Sequence, residues 1–244
     1  MFIGGSRLGF RFRYPGGQPG ADQYPNGGFE DDISTAWTLV NSRFRFSGGT
    51  TIFGVPSPAN PNPNPFGSPG DVFGFNSGPG FNGRIALHNE GGGIGSPPPD
   101  GGSRCIALQS SGVFEDSGNG GSFYGPFIYS NTAVFANVGD TIEFYWRAFD
   151  SGSSTTNDAF CVRAYAFTKI APYKILFLLN QTASSIGVST PWAKAERTIV
   201  AGEEGAYHFV FICGSFDSTY GRVVGSSLLL DNIKLRKFIF TGEG

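Results

Sequence analysis

The chain has 244 residues, with 17 basic and 19 acidic side chains and a formal net charge of −2. That balance lacks the concentrated basic face a nucleic-acid partner needs, and no stretch reaches the roughly 18 apolar residues of a membrane helix. Hydrophobic residues make up 39% and aromatics 15%, too apolar for overall disorder, so one large domain with a substantial core is expected.

Residues 1–25 read as an arm. Leu8, Phe10, Phe12 and Tyr14 alternate with Gly9, Arg11 and Arg13, the two-residue period of a strand with an apolar and a basic face. Pro15-Gly16-Gly17 stops the pattern. Such an arm either folds back on its own sheet or adds to a neighbour's sheet edge, and both remain open. Met1 to Tyr14 carries three arginines and no apolar run long enough for a secretory leader. The expectation is therefore a protein made in, and not exported from, a host cytoplasm.

The domain proper is expected over 26–236, with a tail at 237–244. It opens at Asn26-Gly27-Gly28-Phe29-Glu30-Asp31 and continues through a short turn near Asp32–Ala36 into a strand at Trp37. Phe44, Phe46, Ile52 and Phe53 suggest a further strand over 43–53. Residues 54–83 differ: Pro56, Pro58, Pro61, Pro63, Pro65 and Pro69 sit among Asn, Ser and Gly, which removes ladder donors and favours extended backbone. Phe66, Phe73, Phe75 and Phe81 punctuate that stretch, suggesting a long loop pinned by its rings. A second Gly/Pro loop follows, with His88 at its edge and Gly91-Gly92-Gly93 and Pro97-Pro98-Pro99 inside it. Loops this long are uncommon in compact domains and often functional.

Beyond residue 103 the strand signals become regular. They fall at 104–109, 124–129, 141–149, 160–167, 173–179, 193–200 and 207–213. In the third, Ile142, Phe144, Trp146 and Ala148 alternate with Glu143, Tyr145 and Arg147, as a half-buried strand requires. Leu228 to Leu235, broken by Asp231-Asn232, reads as a closing strand that slots between strands laid down earlier, with the first and last ordered strands meeting. The spacing of strands and turns predicts an all-β sandwich.

Four runs in order carry a resemblance: Gly139-Asp140-Thr141-Ile142-Glu143-Phe144, Ala206-Tyr207-His208-Phe209-Val210-Phe211, Gly214-Ser215-Phe216-Asp217 and Leu230-Asp231-Asn232-Ile233. Together with the opening Asn26–Glu30 and Trp37, they resemble the galactose-binding-like jelly-roll domains of bacterial carbohydrate-binding modules. Similar domains occur in bacteriophage virion proteins. The resemblance implies a jelly-roll β-sandwich of two antiparallel sheets. It also implies a structural calcium tying the first strand to the last, with carboxylates from Glu30 and Asp231, and Asp31 less firmly placed. Calcium needs about six to eight oxygens; the plain alternative is that these are turn or capping acids. Trimers are common among such subunits.

Little in the chain points to catalysis. His208 lies in an apolar strand, and His88 with Asn89 and Glu90 forms an ordinary polar loop cluster. There is no Gly-x-Ser-x-Gly elbow, and Gly91 to Gly95 lacks the Lys-Ser/Thr end of a phosphate loop. The acidic pairs 31–32, 115–116 and 203–204 are neighbours in sequence, and neighbours on a strand face opposite ways. Cys105, Cys161 and Cys213 lack metal-type spacing and read as buried thiols. For stacking on a sugar, Trp192, Trp37 and Tyr145 are the candidates, while Trp146 reads as core. Tyr145 and Arg147 would form a polar face with Tyr165 and Arg163 if their strands adjoin.

The expectation is a non-enzymatic virion structural protein, either a capsid decoration or cement protein or a tail component. Phe10, Arg11, Phe12, Arg13, Phe66, Phe73 and Phe75 would make its inter-subunit contacts. Its partners would be other virion proteins and copies of itself, with no required cofactor, no nucleic acid and no membrane. The alternative is a lectin-like module that binds glycans. A glycan-degrading enzyme on the same fold ranks last.

Overall fold

A computed structural model describes residues 24–45, 72–75, 83–89, 98, 101–110, 122–150, 159–170, 172, 174–183, 190–217 and 226–238. After a 3-10 turn at Ile33–Thr35, twelve strands follow in chain order. They are β1 (Trp37–Arg45), β2 (Val72–Phe75), β3 (Gly83–Asn89), β4 (Arg104–Ser110), β5 (Ser122–Ser130) and β6 (Val134–Ala136). The rest are β7 (Thr141–Asp150), β8 (Ala159–Phe167), β9 (Ile175–Ala183), β10 (Ala193–Thr198), β11 (Gly205–Asp217) and β12 (Ser226–Arg236).

The larger sheet runs β2-β1-β5-β11-β8-β9, with β6 also paired to β11, and the smaller runs β10-β7-β12-β4-β3. All the pairings are antiparallel. This is the expected jelly-roll β-sandwich. The core lies where two period-two patterns face each other. Ile142, Phe144, Trp146 and Ala148 of β7 meet Tyr207, Phe209, Phe211 and Cys213 of β11 in one buried cluster, and the Phe144 and Phe211 rings contact edge to face at 5.0 Å.

β12 does slot between older strands, pairing with β4 on one side and β7 on the other. Its acid and amide form a bulge: the register to β7 shifts between Asp231 and Lys234, and Asn232 adopts φ +51. The extra residue lets Leu228 and Leu230 before it, and Ile233 and Leu235 after it, all reach the core. The expectation that the first and last strands adjoin needs correcting, because β1 lies in the larger sheet and β12 in the smaller. What meets β12 is the segment ahead of β1, where Ile233 N donates to Gly27 O at 2.9 Å.

Several local expectations also shift. β1 is one continuous strand to Arg45, and residues 46–71 lie outside the described set. β2, bearing Phe73 and Phe75, pairs with β1 where a loop was expected. β3 also replaces expected loop, and its register sets His88 opposite Cys105. Cys213 opposes Val162, and Gly214 opposes Cys161, so Cys161 and Cys213 are not cross-strand partners. Phe10, Arg11, Phe12, Arg13 and Phe66 lie outside the described residues.

Candidate functional site

The junction between the 24–36 segment and β12 is built almost entirely from the opening motif. Asn26, at φ +48, accepts from Asp31 N through Oδ1 at 3.1 Å and donates Nδ2 to the Asp31 and Asp32 carbonyls. Its own carbonyl accepts from Trp37 Nε1 at 3.2 Å. A side chain at Gly27 would place Cβ 1.9 Å from the Ile233 carbonyl oxygen, so only glycine permits this approach. Phe29 sits at φ +57, an uncommon conformation for an aromatic residue, with its ring fully buried beside Trp37.

Glu30 points away from that knot to the segment before β4. Its Oε1 accepts from Ser103 N at 2.7 Å and Arg104 N at 2.9 Å, and its Oε2 accepts from Ser103 Oγ at 2.6 Å. The slight burial alone would raise its pKa, but these hydrogen bonds and the Arg104 charge hold the carboxyl below its usual value. Asp231 is buried, with Oδ1 accepting from Asn232 N at 2.6 Å. Asp31 is exposed. Among the described residues no three His, Cys, Asp or Glu side chains gather as a metal-binding group. Three donors already occupy most of the roughly four lone-pair sites on Glu30. Calcium would have to displace them, so as arranged these residues do not fit a calcium cage. They suit an acid that clamps a turn.

Of the sugar-stacking candidates, Trp37 is corrected outright. It is 1% exposed and packs among Tyr24, Phe29 and Phe211, so neither ring face is open to a ligand. Trp146 is core, as read. Tyr145 is half-buried on the outer face of the smaller sheet, opposite Lys194 and Asp231. Trp192 is half-buried at the entry to β10, with its Nε1 buried and without an acceptor. Around Tyr145, Glu143 pairs with Lys194 at 2.9 Å and with Arg236, and Lys194 also meets Glu196 at 2.6 Å. The face joining Tyr145 and Arg147 to Tyr165 and Arg163 does not form, because β7 and β8 belong to different sheets.

The larger sheet has a different outer face. Phe127, Tyr165, Phe167, Val210 and Ile212 occupy the positions alternating with the core residues, yet all are between 0% and 3% exposed. Burial pushes the Tyr165 phenol well above its usual pKa. At these described residues the middle of this face is closed to solvent.

An open concavity lies instead at one end of the sandwich, where β6, the β8–β9 turn and the start of β11 converge. It is a cleft of about 320 Å³, at the small end of the range for ligand sites. Its apolar walls include Phe135, 56% exposed, and Ile170, 80% exposed, together with Pro172. Its polar side chains are Lys169, Glu204, His208 and Thr168, the last with its hydroxyl engaged by the Pro172 carbonyl and Lys174 N. His208 is held by its ring nitrogen Nδ1, 3.0 Å from the Ser130 carbonyl, and by stacking on Phe167 at 5.6 Å. A carbonyl only accepts, so Nδ1 carries the proton and Nε2 presents a lone pair. Burial, opposed by the Ser130 bond and reinforced by Lys169, lowers the imidazole pKa from 6.5. Among the described residues Lys169 forms no ion pair. Glu204 Oε2 accepts from Gly202 N at 2.9 Å, and its main-chain carbonyl from Lys174 Nζ at 2.5 Å.

Sequence reasoning did not find this cleft. Its parts come from three segments, 133–135, 168–172 and 204–208, with no common motif. The one available signal was large apolar residues, Phe135 and Ile170, in stretches otherwise built as turns.

The described strands define an antiparallel jelly-roll β-sandwich. No protein-family model matches the chain, and no curated protein matches it. Among solved structures it is similar to carbohydrate-binding modules of the β-sandwich superfamily described for promiscuous specificity, at 10% identity and a TM-score of 0.38, over 64% of this chain and 54% of that one. It is similar to the enzymatically active domain of a bacteriophage CBA120 tailspike protein, at 16% identity and a TM-score of 0.34, over 89% of this chain and 21% of that one. A family 4 carbohydrate-binding module is similar at 11% identity and a TM-score of 0.35, over 88% and 99%. The chain thus spans about half the length of the first of these and about a fifth of the tailspike.

Proposed function

We propose that this chain is a non-catalytic recognition domain of a bacteriophage particle, tail-associated, that holds a glycan in the cleft at the turn end of its sandwich. One observation carries the reading: a solvent-open cleft that combines an exposed aromatic ring with an ammonium, a carboxylate and an imidazole lone pair. Carbohydrate ligands pair an apolar ring face with donating and accepting hydroxyls, and such a cleft answers both. The burial of Phe127, Tyr165, Phe167, Val210 and Ile212 on the outer face of the larger sheet supports placing the site at the cleft. The His208 ring, fixed by the Ser130 carbonyl and by stacking on Phe167, suits a positioned acceptor, which supports a recognition role.

A second reading, a capsid or tail structural protein that contacts its own copies, rests on a different observation. Among the described residues Phe135, Val138, Ile170, Phe177, Val200 and Phe238 are the exposed large apolar side chains, which suit contacts between copies. Glycan-array binding separates the two. The recognition reading expects retention of a subset of glycans, weakened at least tenfold by Phe135→Ala, with no shortening of the retained glycan on prolonged incubation. An array with no signal, from protein that forms particle-bound oligomers lost in Val200→Ser, favours the structural reading.

A further inference from the structure

The polar groups of the cleft specify more than a generic sugar. Lys169 and Glu204 bring one positive and one negative charge to the lining, so with a neutral imidazole the site carries no net charge. An acidic sugar would gain from Lys169 and lose against Glu204, and a neutral one meets no such conflict. His208 Nε2 and the second Glu204 oxygen both accept, and Lys169 donates. A ligand satisfying all three presents two hydroxyls as donors and one oxygen as acceptor on one edge, with a C–H face toward Phe135. The volume of about 320 Å³ suits one ring and is small for a run of several.

From this we infer that the cleft is an end-on site for a single, uncharged, terminal pyranose. Phe135 is the stacking platform, His208 and Glu204 take the ring's hydroxyl protons, and Lys169 donates to a third oxygen. The inference rests on the glycan-recognition reading and narrows it to the class of ligand.

His208 adds a pH signature. Protonation of Nε2 turns its lone pair into a second donor, facing a hydroxyl already aimed to donate. Lys169 and Glu204 are the charged groups lining the cleft beside it, and Ser130 and Phe167 are its neutral contacts. Binding should therefore weaken as pH falls below 6.5, the ordinary value from which burial lowers His208.

The test titrates the full chain with methyl glycosides of glucose, galactose, mannose and N-acetylglucosamine, with glucuronic acid, and with cellohexaose and xylohexaose, by isothermal calorimetry or ligand-observed NMR. The expected result is binding of at least one neutral methyl glycoside and none of glucuronic acid. That binding should weaken at least tenfold in Phe135→Ala and in Lys169→Met, two exposed or half-exposed positions whose variants should fold, and persist in Trp192→Ala. Binding confined to the hexaoses and unchanged in both cleft variants overturns the end-on site while leaving glycan recognition standing. Preference for glucuronic acid overturns the neutral-ligand assignment alone. No binding of any probe by correctly folded protein overturns both.

Discussion

Single residues carry the sharpest consequences. Gly27→Ala would push a methyl into the Ile233 carbonyl and should cost about 1–3 kcal/mol, the usual penalty of overpacking, read as a drop in denaturation midpoint with unchanged m-value. Asn232, at φ +51, should accept glycine without loss and lose about 1–2 kcal/mol as valine, because the left-handed region is costly for β-branched residues. Glu30 accepts from main-chain N–H groups, so a chelator should leave the melting temperature unchanged while Glu30→Gln lowers it. A chelator-induced drop of several degrees would restore the calcium reading. Asp140 is nearly fully buried. Burial alone would raise its carboxyl, but hydrogen bonds from Asn137 N and Phe238 N, with Lys237, hold it below the usual 3.8. The stability it contributes is therefore full above the unfolded-state value and lost as pH falls through the lower folded value. His208 acts on the same side but higher on the scale. With its folded pKa below 6.5, the unfolded chain takes up the proton first, so stability declines as pH drops below that value. His208→Asn should flatten the slope of melting temperature against pH just below 6.5.

At the scale of elements, the alternation of β7 was plain in the sequence because one face meets the other sheet while the opposite residues, Glu143, Tyr145 and Arg147, differ in kind. β12 was equally plain, and even its interruption proved structural, since Asp231-Asn232 forms the bulge that keeps the later residues facing inward. β3 was hidden because its Gly83 start and Gly-rich successor read as punctuation, although its pairing to β4 supplies the regularity. β2 was hidden in a proline-rich setting that individually argues against strands. Trp37 could not be placed from its neighbours, because its burial depends on Tyr24, Phe29 and Phe211, the last from a strand more than 170 positions later. The cleft is the extreme case: a short strand, a strand start and a turn, each of unremarkable composition, become a site only when β6 pairs with β11 beside residues 168–170 and 172.

At the scale of the molecule, the sandwich closes by two unlike devices. Apolar layers meet between the sheets, and a polar knot from Asn26 to Glu30 secures the open end against β12 and the lead-in to β4. Deleting residues 1–20 should leave that knot and a folded domain intact, with glycan binding retained. Loss of incorporation into particles on the same deletion would support the arm as an assembly element. Mapping amide chemical shifts as a retained glycan is titrated tests the central assignment most directly. Perturbations concentrated at 133–135, 168–170 and 204–208 are predicted. Perturbations centred on Tyr145 and Trp192 across the smaller sheet, with the turn end silent, would contradict it.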